Sequence, residues 1–172
     1  MWNDHFLTLF NHCLTIHASG DKNYSSYYTD EDRALLAAIG YKEREFYDFV
    51  EDLNDYQAPT PSTALLIAAV RRDYFLTLQK GKFANEIVTV EDLPTFGDTL
   101  ADIAYLPRIL CKARAKLRGT LDPEIMYGCG GDRNFLETYG NIHPADFLRH
   151  VWAAGEDDEK IARFILSQSR VH

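Results

Sequence analysis

The 172 residues carry 18 basic and 26 acidic side chains, a formal net charge of −8, with 46% apolar and 13% aromatic content. This is ample for one packed domain, or two small ones sharing a core, and too aromatic for a disordered chain. An acidic chain is a poor fit to nucleic-acid binding, which needs several cations presented together. The longest apolar run, Ala64 to Val70, falls far short of the roughly 20 residues that a membrane span needs.

Residues 2–18 place Phe6, Leu9, Phe10, Cys13 and Leu14 on one side of an amphipathic helix, which Ser19-Gly20-Asp21 ends. A polar, Tyr-rich connection follows. Thr29-Asp30-Glu31-Asp32 then reads as a helix start, with Thr29 as the cap and acids at the positive end of the dipole; Gly40 is its stop. A third helix over 43–54 gathers Phe46, Phe49, Val50 and Leu53 on one face and acids elsewhere. Ala58-Pro59-Thr60-Pro61 breaks the pattern, and Thr60 or Ser62 caps a nearly all-apolar helix that runs to about Gln79. One of Arg71 and Arg72 is expected to turn inward toward Glu51 or Asp52, since a buried charge needs a partner.

Residues 80–97 read as an extended linker, followed by a short helix near 98–104. Pro107 and Gly119 then bracket a helix in which Leu106, Ile109, Leu110, Ala113 and Leu117 form an apolar stripe. Its other faces hold Arg108, Lys112, Arg114, Lys116 and Arg118, five cations and no acid. Arg108 and Lys112 share one face, Arg114 and Arg118 another. After an irregular stretch from Asp122 to Gly131, helices are expected at 132–139, 144–154 and 156–168. The fold class is therefore all-α, a compact bundle of about seven to eight helices in one domain, with sub-halves at 1–92 and 93–172.

Sliding the chain by 100 residues aligns Tyr27 with Tyr127, Asp32-Arg33 with Asp132-Arg133, Leu36 with Leu136 and Gly40 with Gly140. After a one-residue insertion Phe46 meets Phe147 and Val50 meets Val151. Two readings stand: an internal duplication, or the chance periodicity of helical chains.

Tyr127-Gly128-Cys129-Gly130-Gly131-Asp132-Arg133 is a Gly-rich turn entering a helix, where backbone N–H groups can hold an anion. It lacks the Lys-Ser/Thr of a P-loop. Cys129 at a helix start is a candidate nucleophile without a His at a telling spacing to serve as its base. The structural alternative is a tight turn and a helix cap. His5 with His12, and His143 with His150, give no metal-ligand set.

At Leu106-Pro107-Arg108, Lys112-Ala113-Arg114-Ala115-Lys116-Leu117, Gly119-Thr120-Leu121, Tyr127, Cys129 and Asp132 the chain resembles a bacterial family known as domain of unknown function 5069. Phe135-Leu136, Gly140 and Phe147 extend the likeness, which covers about residues 95–168 and leaves the first half as an N-terminal extension. The chain departs from that pattern at Gly130-Gly131, where Pro-Leu is expected. The resemblance implies a soluble bacterial protein and assigns no activity.

The leading expectation is a non-catalytic domain binding a small anionic ligand through Arg108, Lys112, Tyr127, Cys129, Asp132 and Arg133, with no cofactor and no metal. A protein-interaction module is the alternative, self-associating or set against an acidic partner. An enzyme using Cys129 or Asp132 is the third. Neither membrane nor nucleic acid is expected as a partner. The start, Met1-Trp2-Asn3-Asp4-His5, has no signal-peptide pattern. Three cysteines (Cys13, Cys111, Cys129) without a Cys-x-x-Cys pair read as free thiols in a reducing cytoplasm.

Overall fold

The computed structural model describes residues 1–169, and the chain divides into two compact units, Met1–Phe83 and Ala84–His172. Eight α-helices, two short 3₁₀ turns and one two-stranded hairpin make up the regular structure of the described residues, so the fold is all-α as the periodicity predicts. No helix among the described residues is long and apolar enough to cross a membrane.

The first unit holds α1 (Trp2–Ala18), α2 (Asp30–Ala38), α3 (Glu43–Tyr56) and α4 (Pro61–Thr77). Phe6 and Phe10 on α1 meet Phe46 on α3 edge to face, with ring centroids 5.0 and 5.7 Å apart. Such pairs add about 0.5–1.5 kcal/mol each beyond the area they bury. Thr29 caps α2 in a reciprocal box: its hydroxyl accepts the Asp32 N–H, and the Asp32 carboxylate accepts the Thr29 N–H. Thr60, rather than Ser62, caps α4. Gly40 has a φ of +76°, and a Cβ there would lie 2.7 Å from Phe75 Cγ. Both the turn and the packing require glycine.

Arg71 is the inward arginine. It is fully buried, donates to Gln79 Oε1 at 2.6 Å, and lies 5.0 Å over the Phe75 ring. Burial lowers its pKa, and the Glu45 charge opposes that shift. Of the partners expected for it, Glu51 pairs with Arg44 at 3.5 Å.

The second unit holds β1 (Thr99–Leu100), β2 (Ile103–Ala104), α5 (Leu106–Arg118), α6 (Gly130–Thr138), α7 (Pro144–Ala154) and α8 (Asp158–Gln168). Ile109, Leu110 and Ala113 of α5 are buried with Phe147, Leu148 and Val151 of α7, and Ile161 and Ile165 of α8 are buried too. Gly119 ends α5 at φ +69° as the left-handed cap expected of it. The linker reading of 80–97 needs one addition. Val88 pairs with Leu121 in an isolated parallel bridge, and Val90–Asp92 forms a 3₁₀ turn.

The short helix predicted near 98–104 is a correction. These residues form an antiparallel hairpin, with Thr99 opposite Ala104 and Leu100 opposite Ile103. Ala101 and Asp102 both have positive φ, 49° and 61°. That is the two-residue turn whose twist matches a hairpin. Leu100, Ile103 and Ala104 have helical spacing, but Ile103 is buried from a strand of the hairpin rather than from a helical stripe.

Candidate functional site

The hairpin delivers the chain into α5 through Tyr105, the N-cap of that helix, at φ +72°. An aromatic residue in the left-handed region is strained by about 1–3 kcal/mol, and such residues cluster at functional sites. Its side chain explains the cost. Tyr105 Oη donates to Asp132 Oδ1 at 2.7 Å, while its ring stacks on Phe96 (5.9 Å, 25°) and lies 5.6 Å from Phe135.

Asp132 stands in the first turn of α6 and is fully buried. Its other oxygen accepts from Lys112 Nζ at 2.6 Å and from the Gly128 N–H at 2.8 Å. A buried carboxylate is sustained only when paired and hydrogen-bonded, and three donors supply that here. Lys112, itself buried, also donates to Cys129 Sγ at 3.2 Å. Cys129 is the N-cap of α6, yet its side chain makes no capping hydrogen bond, and it is only partly buried. Burial pushes the Tyr105 hydroxyl well above the usual phenol range, the Asp132 charge adds to this, and Arg108 opposes it. Tyr105 therefore acts as a donor throughout the ordinary pH range.

The surrounding turn is shaped by backbone contacts. Tyr127 is buried, donates to the Pro144 carbonyl at 2.8 Å, and has its pKa raised by burial and then by Asp132. Arg133 Nη1 donates to the Gly128 carbonyl at 2.7 Å. A Cβ at Gly131 would come within 3.0 Å of Tyr105 Oη, so glycine at this position admits the phenol to the start of α6.

Of the six residues expected to form a site, the structure brings Lys112, Cys129 and Asp132 into direct contact. Tyr127 and Arg133 brace the turn that presents them. Arg108 stands apart: it donates to the Pro94 carbonyl at 2.8 Å and lies 4.2 Å over the Phe96 ring. It is joined to the others through Phe96 and Tyr105. The second cationic face of α5 is engaged elsewhere, Arg114 with Asp158 at 2.5 Å and Arg118 with Glu156 at 2.7 Å. That face borders a cleft of about 280 Å³ that also includes Leu110 and Cys111.

Tyr105 is the residue that sequence reasoning missed. The signal was available, because extending the 100-residue alignment toward the N-terminus pairs Tyr105 with His5. In the first unit His5 Nε2 lies 2.9 Å from Asp32 Oδ1, the same relation in different chemistry.

The chemistry of the cluster is that of a held charge pair beside a thiol. A carboxylate fixes an ammonium, the ammonium faces sulfur, and the sulfur opens toward the exposed Gly130-Gly131 start of a helix. Residues 95–172 match the family model described as Domain of unknown function (DUF5069), so the resemblance carried by the α5 and α6 motifs is a family membership of this segment. It takes in every residue of the cluster and none of α1 to α4. No curated protein and no solved structure matches the chain.

Proposed function

We propose that the DUF5069 segment is a binding domain for a small carboxylate or phosphate anion, received beside Arg108 at the mouth formed by Tyr105 and the start of α6. The observation that carries this reading is the state of Arg108. Its guanidinium lies over the Phe96 ring and is anchored by the Pro94 carbonyl, but it forms no ion pair among the described residues. Lys112, Arg114 and Arg118 on the same helix each have a carboxylate partner. A positioned guanidinium with free N–H edges suits the two-pronged recognition of carboxylate or phosphate. The Gly130-Gly131 start of α6 adds exposed backbone at the positive end of a helix, where the Cys129 side chain makes no cap bond. Lys112 and Asp132 stand behind this mouth as its support, held together at 2.6 Å.

The anion is bound without being transformed in this reading, and the chain's free Cys13, Cys111 and Cys129 fit a reducing, cytoplasmic setting. The test is a thermal-shift series with inorganic phosphate and small mono- and dicarboxylates, on wild type and Arg108→Gln. An anion at about 100 times its dissociation constant adds about 2.7 kcal/mol of stability, and the Gln variant should lose that gain. A flat response of the wild type to every anion would remove the reading. Phe96, 69% exposed beside Arg108, favours a protein-interaction surface as the second reading. In that case sedimentation should show salt-sensitive association, which Phe96→Ser abolishes.

A further inference from the structure

We propose that Cys129 is a nucleophilic thiol, and that its co-reactant is a small hydroperoxide. The proposal stands on the Lys112–Cys129–Asp132 cluster and not on Arg108, so it is independent of the anion reading. Three observations support it. The Lys112 ammonium donates to Sγ at 3.2 Å and is kept there by Asp132, 2.6 Å away on its other side. Negative charge on the sulfur is thus met by a fixed cation and by the N-terminus of a nine-residue helix. Cys129 is only partly buried and two exposed glycines follow it, which leaves an approach for a small reagent.

The first unit supplies a control for the alternative, that Cys129 is only a cap. At the matching N-cap of α2 stands Thr29, whose hydroxyl accepts the Asp32 N–H, whereas the Cys129 side chain caps nothing. The position matching Lys112 is His12, which is exposed. The ammonium and the thiol occur together in the second unit, and the matching positions of the first hold neither. Burial and the nearby Asp32 charge push Cys13 up to about 12, and burial with Asp92 raises Cys111.

The reaction balances with the groups present. The sulfur, having lost its proton to solvent, attacks the terminal oxygen of R–O–O–H. An S–O bond forms, the O–O bond breaks, and the sulfur gives up two electrons to become sulfenic acid. The departing RO⁻ takes a proton from Lys112, which regains one from water. Oxidised Cys129 then waits for an external thiol to reduce it.

The experiment treats the intact protein with hydrogen peroxide and dimedone at pH 7 and maps the labelled cysteines. The reference is a free peptide of residues 125–133. Cys129 should label about tenfold faster in the folded protein than in the peptide, with Cys13 and Cys111 unlabelled over the same interval. Lys112→Met/Asp132→Asn, which removes both buried charges together, should bring the rate down to that of the peptide. Arg163→Gln, at an exposed position of α8, should leave it unchanged. Equal rates in the folded wild type and the peptide would overturn the proposal without reliance on any variant.

Discussion

At the scale of single residues, the two glycines after Cys129 look alike in the sequence and are opposite in the structure. A Cβ on Gly130 would meet nothing closer than Arg133 Nη2 at 3.8 Å, an ordinary contact. Gly130→Ala should therefore stabilise the domain by about 0.5 kcal/mol, through the smaller entropy of the unfolded chain. A Cβ on Gly131 would press on Tyr105 Oη at 3.0 Å. Tyr105 cannot give way freely, because Asp132 holds its hydroxyl while Phe96 and Phe135 flank its ring. Gly131→Ala should accordingly destabilise by at least about 1 kcal/mol, as crowding a packed site does. Urea midpoints of the two variants decide the matter. If both rise, Tyr105 is not the fixed centre of the cluster.

At the scale of elements, α2 and α6 present one helix start in two versions, and the α2 version is sensitive to acid. Burial alone would raise the Asp32 pKa. Hydrogen bonds from the Thr29 hydroxyl and N–H, and then His5, outweigh it and hold the carboxyl below its usual value. A carboxyl depressed in the folded state stabilises fully above its unfolded pKa of about 3.9, and that stabilisation is lost as pH falls through the lower folded value. Asp32→Asn should thus be less stable than wild type at pH 6, and the gap in urea midpoint should narrow steadily toward pH 2.5. A gap independent of pH would mean that the shape of the box matters and its charge does not. The elements also show what could be read in advance. Caps and stops were legible where one side chain serves one helix end, as at Thr29, Thr60 and Gly119. Lys112, Cys129 and Asp132 were legible because cations and a Gly-rich turn stand out in an acidic chain. The hairpin was not, since its turn depends on positive φ at Ala101 and Asp102, residues that do not advertise it as Asn-Gly would. Tyr105 was hidden for the same reason: its place in the site depends on the path of the hairpin, and no local pattern encodes that.

At the scale of the whole molecule, the helix bounds support an internal duplication. Asp30–Ala38 and Gly130–Thr138 coincide at an offset of 100, and α3 and α7 begin at Glu43 and Pro144, one residue later. Each unit also closes its own core, with Phe6, Phe10 and Phe46 buried in the first and Ile109, Phe147 and Val151 in the second. The family match begins at residue 95, inside the second unit, and excludes the whole of the first. A unit that owns its core and appears as a family in its own right should fold by itself. Residues 84–172, expressed alone, should therefore be helical and unfold in a single cooperative urea transition, since domains of this size do fold unaided. The fragment contains all of Tyr105, Lys112, Cys129 and Asp132, so Cys129 should label in it at the rate seen in the full chain. A helical fragment without a cooperative transition would assign the first four helices a structural role in completing the second unit. In that event the two halves would be one folding unit, however similar their helix order.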